Sequence, residues 1–138
     1  MPEPASAISG TVLGFDFGEL RIGTAVGQTV TGSATPLEVL NNPHRGRPDW
    51  EGIGRLIEEW APRALVVGIP CLDDGTEYPI ARRIHRFARQ LHGRFHLPVF
   101  EADERLSSVE GAQRLGRHDG PVDHAAAAVI LETWLESR

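Results

Sequence analysis

Three acidic residues stand where a carboxylate needs a physical reason to be. Asp16 lies late in the apolar run Thr11-Val12-Leu13-Gly14-Phe15-Asp16-Phe17. Glu104 follows a second such run, Leu97 to Ala102, and Asp123 precedes the small-residue stretch Ala125–Ala128. Aspartate is disfavoured inside strands, and a buried carboxylate is costly unless it is paired, hydrogen-bonded or metal-bound. Each residue also has a plainer reading. Asp16 could open a turn before Gly18, Glu104 could be loop acid approaching a helix N-terminus, and Asp123 could be an N-cap. If the three converge, they repel one another and hold a proton unless a cation sits among them. Oxygen-only ligands select a hard ion, Mg²⁺ or Mn²⁺. Two such ions roughly 4 Å apart would activate a water and stabilise the leaving oxygen of a phosphodiester.

The elements that must position these residues follow from periodicity. Strands are expected at 11–17, 21–27 and 32–40, closely spaced enough for an antiparallel meander. The stretch 41–48 is a loop by composition. Asp49 can cap a helix with apolar positions Trp50, Ile53, Leu56, Ile57 and Trp60, ended by Pro62. Ala64 to Ile69 is a continuous apolar run, as in a central parallel strand covered on both faces. After a loop from Pro70 to Glu77, Ile80, Ile84, Phe87, Ala88 and Leu91 mark a second helix, with Gly93 at its end. A strand over 97–102 follows, then the capping box Ser107-Ser108-Val109-Glu110 and a last helix over 122–136. Strands separated by helices require right-handed parallel crossovers. The order predicts an α/β fold: a five-stranded mixed sheet, three antiparallel strands then two parallel ones, with helices on its faces. In this topology Asp16 is on a central strand, Glu104 ends a neighbouring one, and Asp123 opens a helix packed across them. The short alanines would let that helix lie close to the sheet. Residues 1–10 read as a loose tail and 11–138 as one domain.

Bulk composition narrows the function. The 138 residues are 41% apolar and 24% charged, which is globular. The single cysteine, Cys71, cannot form an internal disulfide, and no stretch reaches membrane-span length; a cytoplasmic protein without membrane contact is expected. All 14 basic side chains are arginine. The absence of lysine excludes a Walker A lysine, a Schiff-base lysine and a Ser–Lys dyad. Phosphate recognition would then use guanidinium forks, backbone amides, hydroxyls or metals. The net charge of −5 does not advertise nucleic-acid binding, though a local basic patch can coexist with it. Arg82, Arg86 and Arg89 fall on one helix face with Arg83 beside them; they are candidate phosphate contacts, or a solvated face. The six histidines form no zinc signature: His92 and His96 are four apart, but Gly93 lies between them.

Four segments together resemble one family. Gly14-Phe15-Asp16-Phe17-Gly18 with Arg21-Ile22-Gly23-Thr24-Ala25-Val26-Gly27 is similar to the opening motif of the YqgF family, also described as RuvX-like Holliday-junction resolvases or pre-16S rRNA nucleases. Val67-Gly68-Ile69-Pro70 with Asp74-Gly75-Thr76-Glu77, then Asp103-Glu104-Arg105-Leu106-Ser107-Ser108-Val109-Glu110, then Val122-Asp123-His124-Ala125-Ala126-Ala127 resemble its later motifs, in family order across 11–136. The resemblance implies a ribonuclease-H-like fold, a divalent metal, and Asp16, Glu104 and Asp123 at the acidic catalytic and metal-binding positions. It implies nucleic acid as partner: precursor rRNA in 5′-end maturation of 16S rRNA, with ribosomal particles, ahead of DNA junctions. Arg21 and Arg105, each inside a motif beside a proposed ligand, are the nearer substrate-binding candidates. One departure is the short segment Gly116-Arg117-His118-Asp119-Gly120-Pro121, where the family often carries a longer loop with lysine; Arg117 or His118 would have to replace it.

Two other classes compete. Asp16-Phe17-Gly18 invites a kinase reading, but the chain is short and lacks the accompanying lysine and catalytic loop. An actin- or sugar-kinase-type phosphate loop also uses an aspartate and glycines between hairpin strands, yet such ATPases usually need two domains. A non-catalytic RNA- or ribosome-binding module remains as an alternative.

Overall fold

The computed structural model describes residues 4–43, 47–105 and 124–138. Five strands form one sheet: β1 (Thr11–Phe17), β2 (Arg21–Gln28), β3 (Ser33–Asn41), β4 (Ala64–Cys71) and β5 (Val99–Arg105), in the order β3-β2-β1-β4-β5. β1 pairs antiparallel with β2, and β2 with β3; β1 pairs parallel with β4, and β4 with β5. The expected mixed sheet is the observed one.

Among the described residues, three α-helices cover it: α1 (Trp50–Trp60), α2 (Ala81–Phe95) and α3 (His124–Ser137). Asp49 caps α1 as expected, its Oδ1 accepting from Gly52 N at 2.9 Å. α1 and α2 bury Leu13, Phe15, Phe17, Leu65, Val67 and Ile69 on one sheet face. α3 buries Val12, Ala25, Ala64 and Val66 on the other. The two faces differ in texture. The α1/α2 side is aromatic, with Phe87 touching Phe15, Phe17 and Trp50. The α3 side is lined by Gly14, Gly27 and Gly68. A Cβ on Gly14 would meet Leu131 Cβ at 3.0 Å and the Ala127 carbonyl at 3.3 Å; one on Gly68 would meet Ile130 Cδ1 at 2.5 Å. The helix therefore lies against the sheet backbone, as the short alanines imply.

Three element ends differ from expectation. β4 runs on through Pro70 and Cys71, because a proline on a parallel strand still offers its carbonyl: Tyr78 N donates to Pro70 O. β5 extends to Arg105, so Glu104 lies within a strand, paired with Pro70, rather than after it. α2 passes through Gly93 and stops three residues later, where His96 takes a left-handed φ of 58° and its N–H bonds His92 O. His92 Nδ1 stands 3.0 Å from Leu97 O, holding the cap. Ahead of β1, where composition reads as a loose tail, Ile8 is buried and its carbonyl accepts from Arg138 Nη1 at 3.0 Å. The capping box at Ser107 lies outside the described residues. Among the described residues, no helix is long and apolar enough to cross a membrane.

The glycine seat makes a direct prediction. Gly68→Val should drive side-chain atoms into Ile130 and cost about 1–3 kcal/mol, the scale of core overpacking. Urea unfolding should show a lower midpoint with an unchanged m-value; an unchanged midpoint would mean that α3 is not held this close.

Candidate active edge of the sheet

Asp16 is buried, with 7% of its surface exposed. It belongs to β1, not to a turn: it pairs with Gly23 across the hairpin, and the turn begins at Gly18, whose N–H bonds Arg21 O at 2.8 Å. Alternation along β1 puts Asp16 on the face of Val12 and Gly14, which is the α3 face. The turn beside it is pinned from β3's end by buried Asn42. Its Nδ2 donates to Gly18 O, and its backbone N–H to Leu20 O.

Glu104 follows Phe100 and Ala102 on the inner face of β5, the same α3 side. One of its carboxylate oxygens is buried. Phe15 is level with Val67, so one further residue sets Asp16 level with Gly68; Glu104 is level with Pro70. Two strand spacings, roughly 10 Å, separate β1 from β5. Between them β4 presents only Gly68 and Pro70 on this face. The contacts of α3 give its direction: Ala127 lies over Gly14, Ile130 over Gly68, Trp134 on Phe100, and Arg138 reaches Ile8. α3 thus starts at the sheet edge that carries Asp16 and Glu104, and runs away from it. Asp123 lies outside the described residues, as do Arg117 and His118; among the described residues, no three acidic, histidine or cysteine side chains form a metal cluster.

The arginines separate into three situations. Arg21 shares the Asp16 face of the sheet by alternation, is half-buried, and donates to Leu20 O at 3.3 Å. Arg105 is exposed on the other face of β5, and its Nη1 donates to Asp73 O at 2.7 Å and Leu72 O at 3.5 Å. Arg82, Arg86 and Arg89 are exposed on α2, across the sheet from Asp16. No carboxylate among the described residues pairs with them.

The Asp74-Gly75-Thr76 segment is a self-contained turn. Asp74 Oδ1 accepts from Thr76 N at 2.9 Å, Gly75 has φ 92°, and Leu72 N bonds Thr76 O. The Thr76 hydrogen bonds, backbone first and hydroxyl second, hold the Asp74 carboxyl below its ordinary pKa. Cys71 is buried, and burial, with Asp103 adding to it, pushes its thiol up; it stays protonated and unreactive. One cluster escapes sequence reading because its members come from three elements. His85 of α2 lies 2.6 Å from Glu101 of β5 through Nδ1, and 3.0 Å from Glu77 of the β4–α2 loop through Nε2. Only the turn of α2 that brings His85 back over β5 makes them neighbours.

The family model described as "RuvX: Holliday junction resolvase" matches residues 10–137. The chain belongs to the RuvX family. Three similar relatives carry the name "Putative pre-16S rRNA nuclease". That of Hydrogenovibrio crunogenus is 48% identical, covering 94% of this chain and 96% of its own. That of Klebsiella pneumoniae is 47% identical, with 94% and 98% covered. That of Azotobacter vinelandii is 48% identical, with 92% and 94% covered. Among solved structures, the RuvX chain is similar to Thermus thermophilus RuvC in complex with a Holliday junction substrate, at TM-score 0.54 and 18% identity, covering 90% and 92%. The Fowlpox virus resolvase with Holliday junction DNA gives TM-score 0.52 at 11% identity, covering 92% and 97%. These likenesses establish the ribonuclease-H-like fold.

The bonds of Arg105 lead to a test of its role. Arg105→Ala should speed amide exchange at Leu72, Gly75 and Thr76, and leave the salt dependence of nucleic-acid binding unchanged. A salt slope lower by about one, with the loop amides unaffected, would make Arg105 a phosphate contact instead.

Proposed function

We propose that this RuvX protein is a metal-dependent nuclease that hydrolyses phosphodiester bonds, acting in 5′-end maturation of the 16S rRNA precursor in the cytoplasm. The observation that carries the reading is the buried carboxylate of Asp16 on the α3 face, at the edge where Glu104 shares that face and α3 begins. Asp123 immediately precedes the first described residue of α3 in the sequence. The family and the names of its relatives supply the reaction class and the precursor rRNA.

Asp16, Glu104 and Asp123 would hold Mg²⁺ or Mn²⁺. The fit rests on the donor set: carboxylate oxygens only, with Asp16 and Glu104 on one face of the sheet to either side of a strip of β4 that presents little side chain, and Asp16 buried at a cost that a cation would offset. A bound divalent ion would supply Lewis-acid stabilisation of charge on the phosphodiester. The chain's own residues do the rest. Gly23, paired with Asp16, puts no side chain beside it, Arg21 flanks the same face two residues along β2, and α3 packs on that face at Gly14 and Gly68. Arg82, Arg86 and Arg89 contribute phosphate contacts outside the acidic edge. The support for them is compositional: α2 carries five arginines and two histidines and no acidic residue, in a chain of net charge −5. Precursor rRNA and ribosomal particles are the partners.

DNA-junction resolution is the second reading, favoured by the family's description and by the fold shared with two junction-bound resolvases. Parallel cleavage of precursor rRNA and a four-way DNA junction, in Mn²⁺ and in EDTA, separates the two. Cleavage should require the metal, and Asp16→Asn should fold normally, bind nucleic acid and lose turnover on the order of 10²–10³-fold, as when one preorganised charge-stabilising group is removed. Full activity in metal-free EDTA, or of Asp16→Asn in Mn²⁺, would defeat the site. Binding without cleavage of any RNA or DNA would favour a ribosome-binding module.

The arginine contacts have their own measurement. Replacing Arg82, Arg86 and Arg89 with alanine should lower the salt slope of binding by about two, at somewhat under one for each phosphate no longer neutralised; an unchanged slope would leave them a solvated helix face.

A further inference from the structure

We propose that His85, gripped between Glu77 and Glu101, is a positioning residue that ties the β4–α2 loop to the edge strand carrying Glu104. The inference rests on the nuclease reading for its functional consequence, but the clamp itself stands on geometry. Among the described residues β5 is an edge strand, bonded to β4 on one side only. Its outer face carries Val99, Glu101, Asp103 and Arg105, and Glu104 projects from the other. Two residues of that outer face reach the same loop. Arg105 donates to the carbonyls of Leu72 and Asp73 at the loop's start. At its other end Glu77 meets His85, which also meets Glu101. The loop, the first turns of α2 and the end of β5 are thus closed into one ring of contacts at the active edge.

The chemistry of the grip is specific. An imidazole facing a carboxylate through each nitrogen donates to both only as the imidazolium; the neutral ring has one N–H and turns a lone pair toward the other carboxylate. From the packed elements His85 faces Glu77 of the loop and Glu101 of β5, while Asp103 and Arg105 share that face of β5 further along. On α2 its neighbours one turn away are Arg82 and Arg89. The hydrogen bonds to Glu101 first, and Glu77 second, raise the His85 pKa above its ordinary value, against a smaller opposing effect of burial. With the folded-state value raised, the clamp contributes fully below the ordinary histidine pKa and is lost as pH rises through the raised one. Opening it would free the last residues of an edge strand, and Glu104 with them.

Amide exchange by NMR on the full chain, across pH 5.5 to 9 and corrected for intrinsic rates, reads the clamp without any substrate. In the parent, protection at Ala102 and Glu104, whose amides face β4, should fall as the His85 ring deprotonates, on the order of ten-fold per pKa unit that the clamp adds. His85→Arg keeps two donors and does not titrate in this range, so protection should stay high without a step. His85→Ala should give low protection without a step. A parent that shows no step, or a step that persists in His85→Ala, would overturn the clamp. With precursor rRNA in Mn²⁺, the His85→Arg rate should decline less above neutral pH than that of the parent. Superimposable pH–rate profiles would overturn the functional role. Absence of cleavage by all three proteins would count against the nuclease reading, while the exchange data would still decide the clamp.

Discussion

The seating of one helix directly on sheet backbone is the constraint on which the site depends. α3 crosses β1, β2 and β4 at Gly14, Gly27 and Gly68, where a single added methyl would collide with Ile130 at Gly68 and crowd Leu131 and Leu135 at the other two. Helix packing against ordinary side chains keeps axes 8–10 Å apart, and glycines on the sheet remove that spacer. The close approach sets α3 over Gly14, two residues before Asp16 and on the face where Asp16 is buried. It also fixes the travel of α3, from the acidic edge toward Ile8, where Arg138 binds the chain's first buried segment.

This arrangement explains how much of the molecule was legible in its sequence. The strands of the hairpin and α1 have unambiguous signals: alternation, a capping aspartate, a proline after the last turn. Their observed ends agree within a residue or so with those signals. The late boundaries were less legible because local punctuation was overridden by pairing. Pro70 punctuates a chain segment in isolation, but here β4 is carried on by its pairing with β5, and the Pro70 carbonyl accepts from Tyr78 N. Gly93 has open space around it and simply stays helical, while the termination falls to His96 and the His92–Leu97 contact. The faces of Asp16 and Glu104 follow from alternation once the strands are right. The His85 cluster does not, because neither carboxylate is at helical or strand spacing from the histidine.

Sidedness also sorts the arginines in a way that a motif cannot. Arg105 points to the opposite face of the sheet by the same alternation that aims its neighbour Glu104 inward. Adjacent residues of one motif therefore do different physical jobs: the carboxylate belongs to the α3 side, and the guanidinium secures two loop carbonyls on the α2 side. The basic face of α2 lies on that second side as well, where Arg83 packs over Phe17 at 5.3 Å while Arg82, Arg86 and Arg89 stay in solvent. The arginines of α2 and Arg105 thus lie across the sheet from Asp16, and of the candidate substrate-binding arginines only Arg21 shares its face.

The register of β5 is the remaining condition. Side chains alternate with a period of two, so a slip of one residue would turn Glu104 outward and bring Asp103 or Arg105 to the inner face. Hydrophobic patterning alone resists this weakly, because the strand's last residues, Asp103-Glu104-Arg105, are polar on both sides. The inner face is keyed by Phe100 against Trp134, with ring centroids 5.2 Å apart, and by Ala102 beneath α3. The outer face is keyed by Glu101 at His85 and by Arg105 at the loop carbonyls. A slipped strand would break both sets at once: Phe100 would leave Trp134, and an unpaired guanidinium or carboxylate would be pushed against apolar helix. Polar ties that add little to global stability at exposed positions can still decide which carboxylate faces inward, because they penalise the wrong register more than they reward the right one.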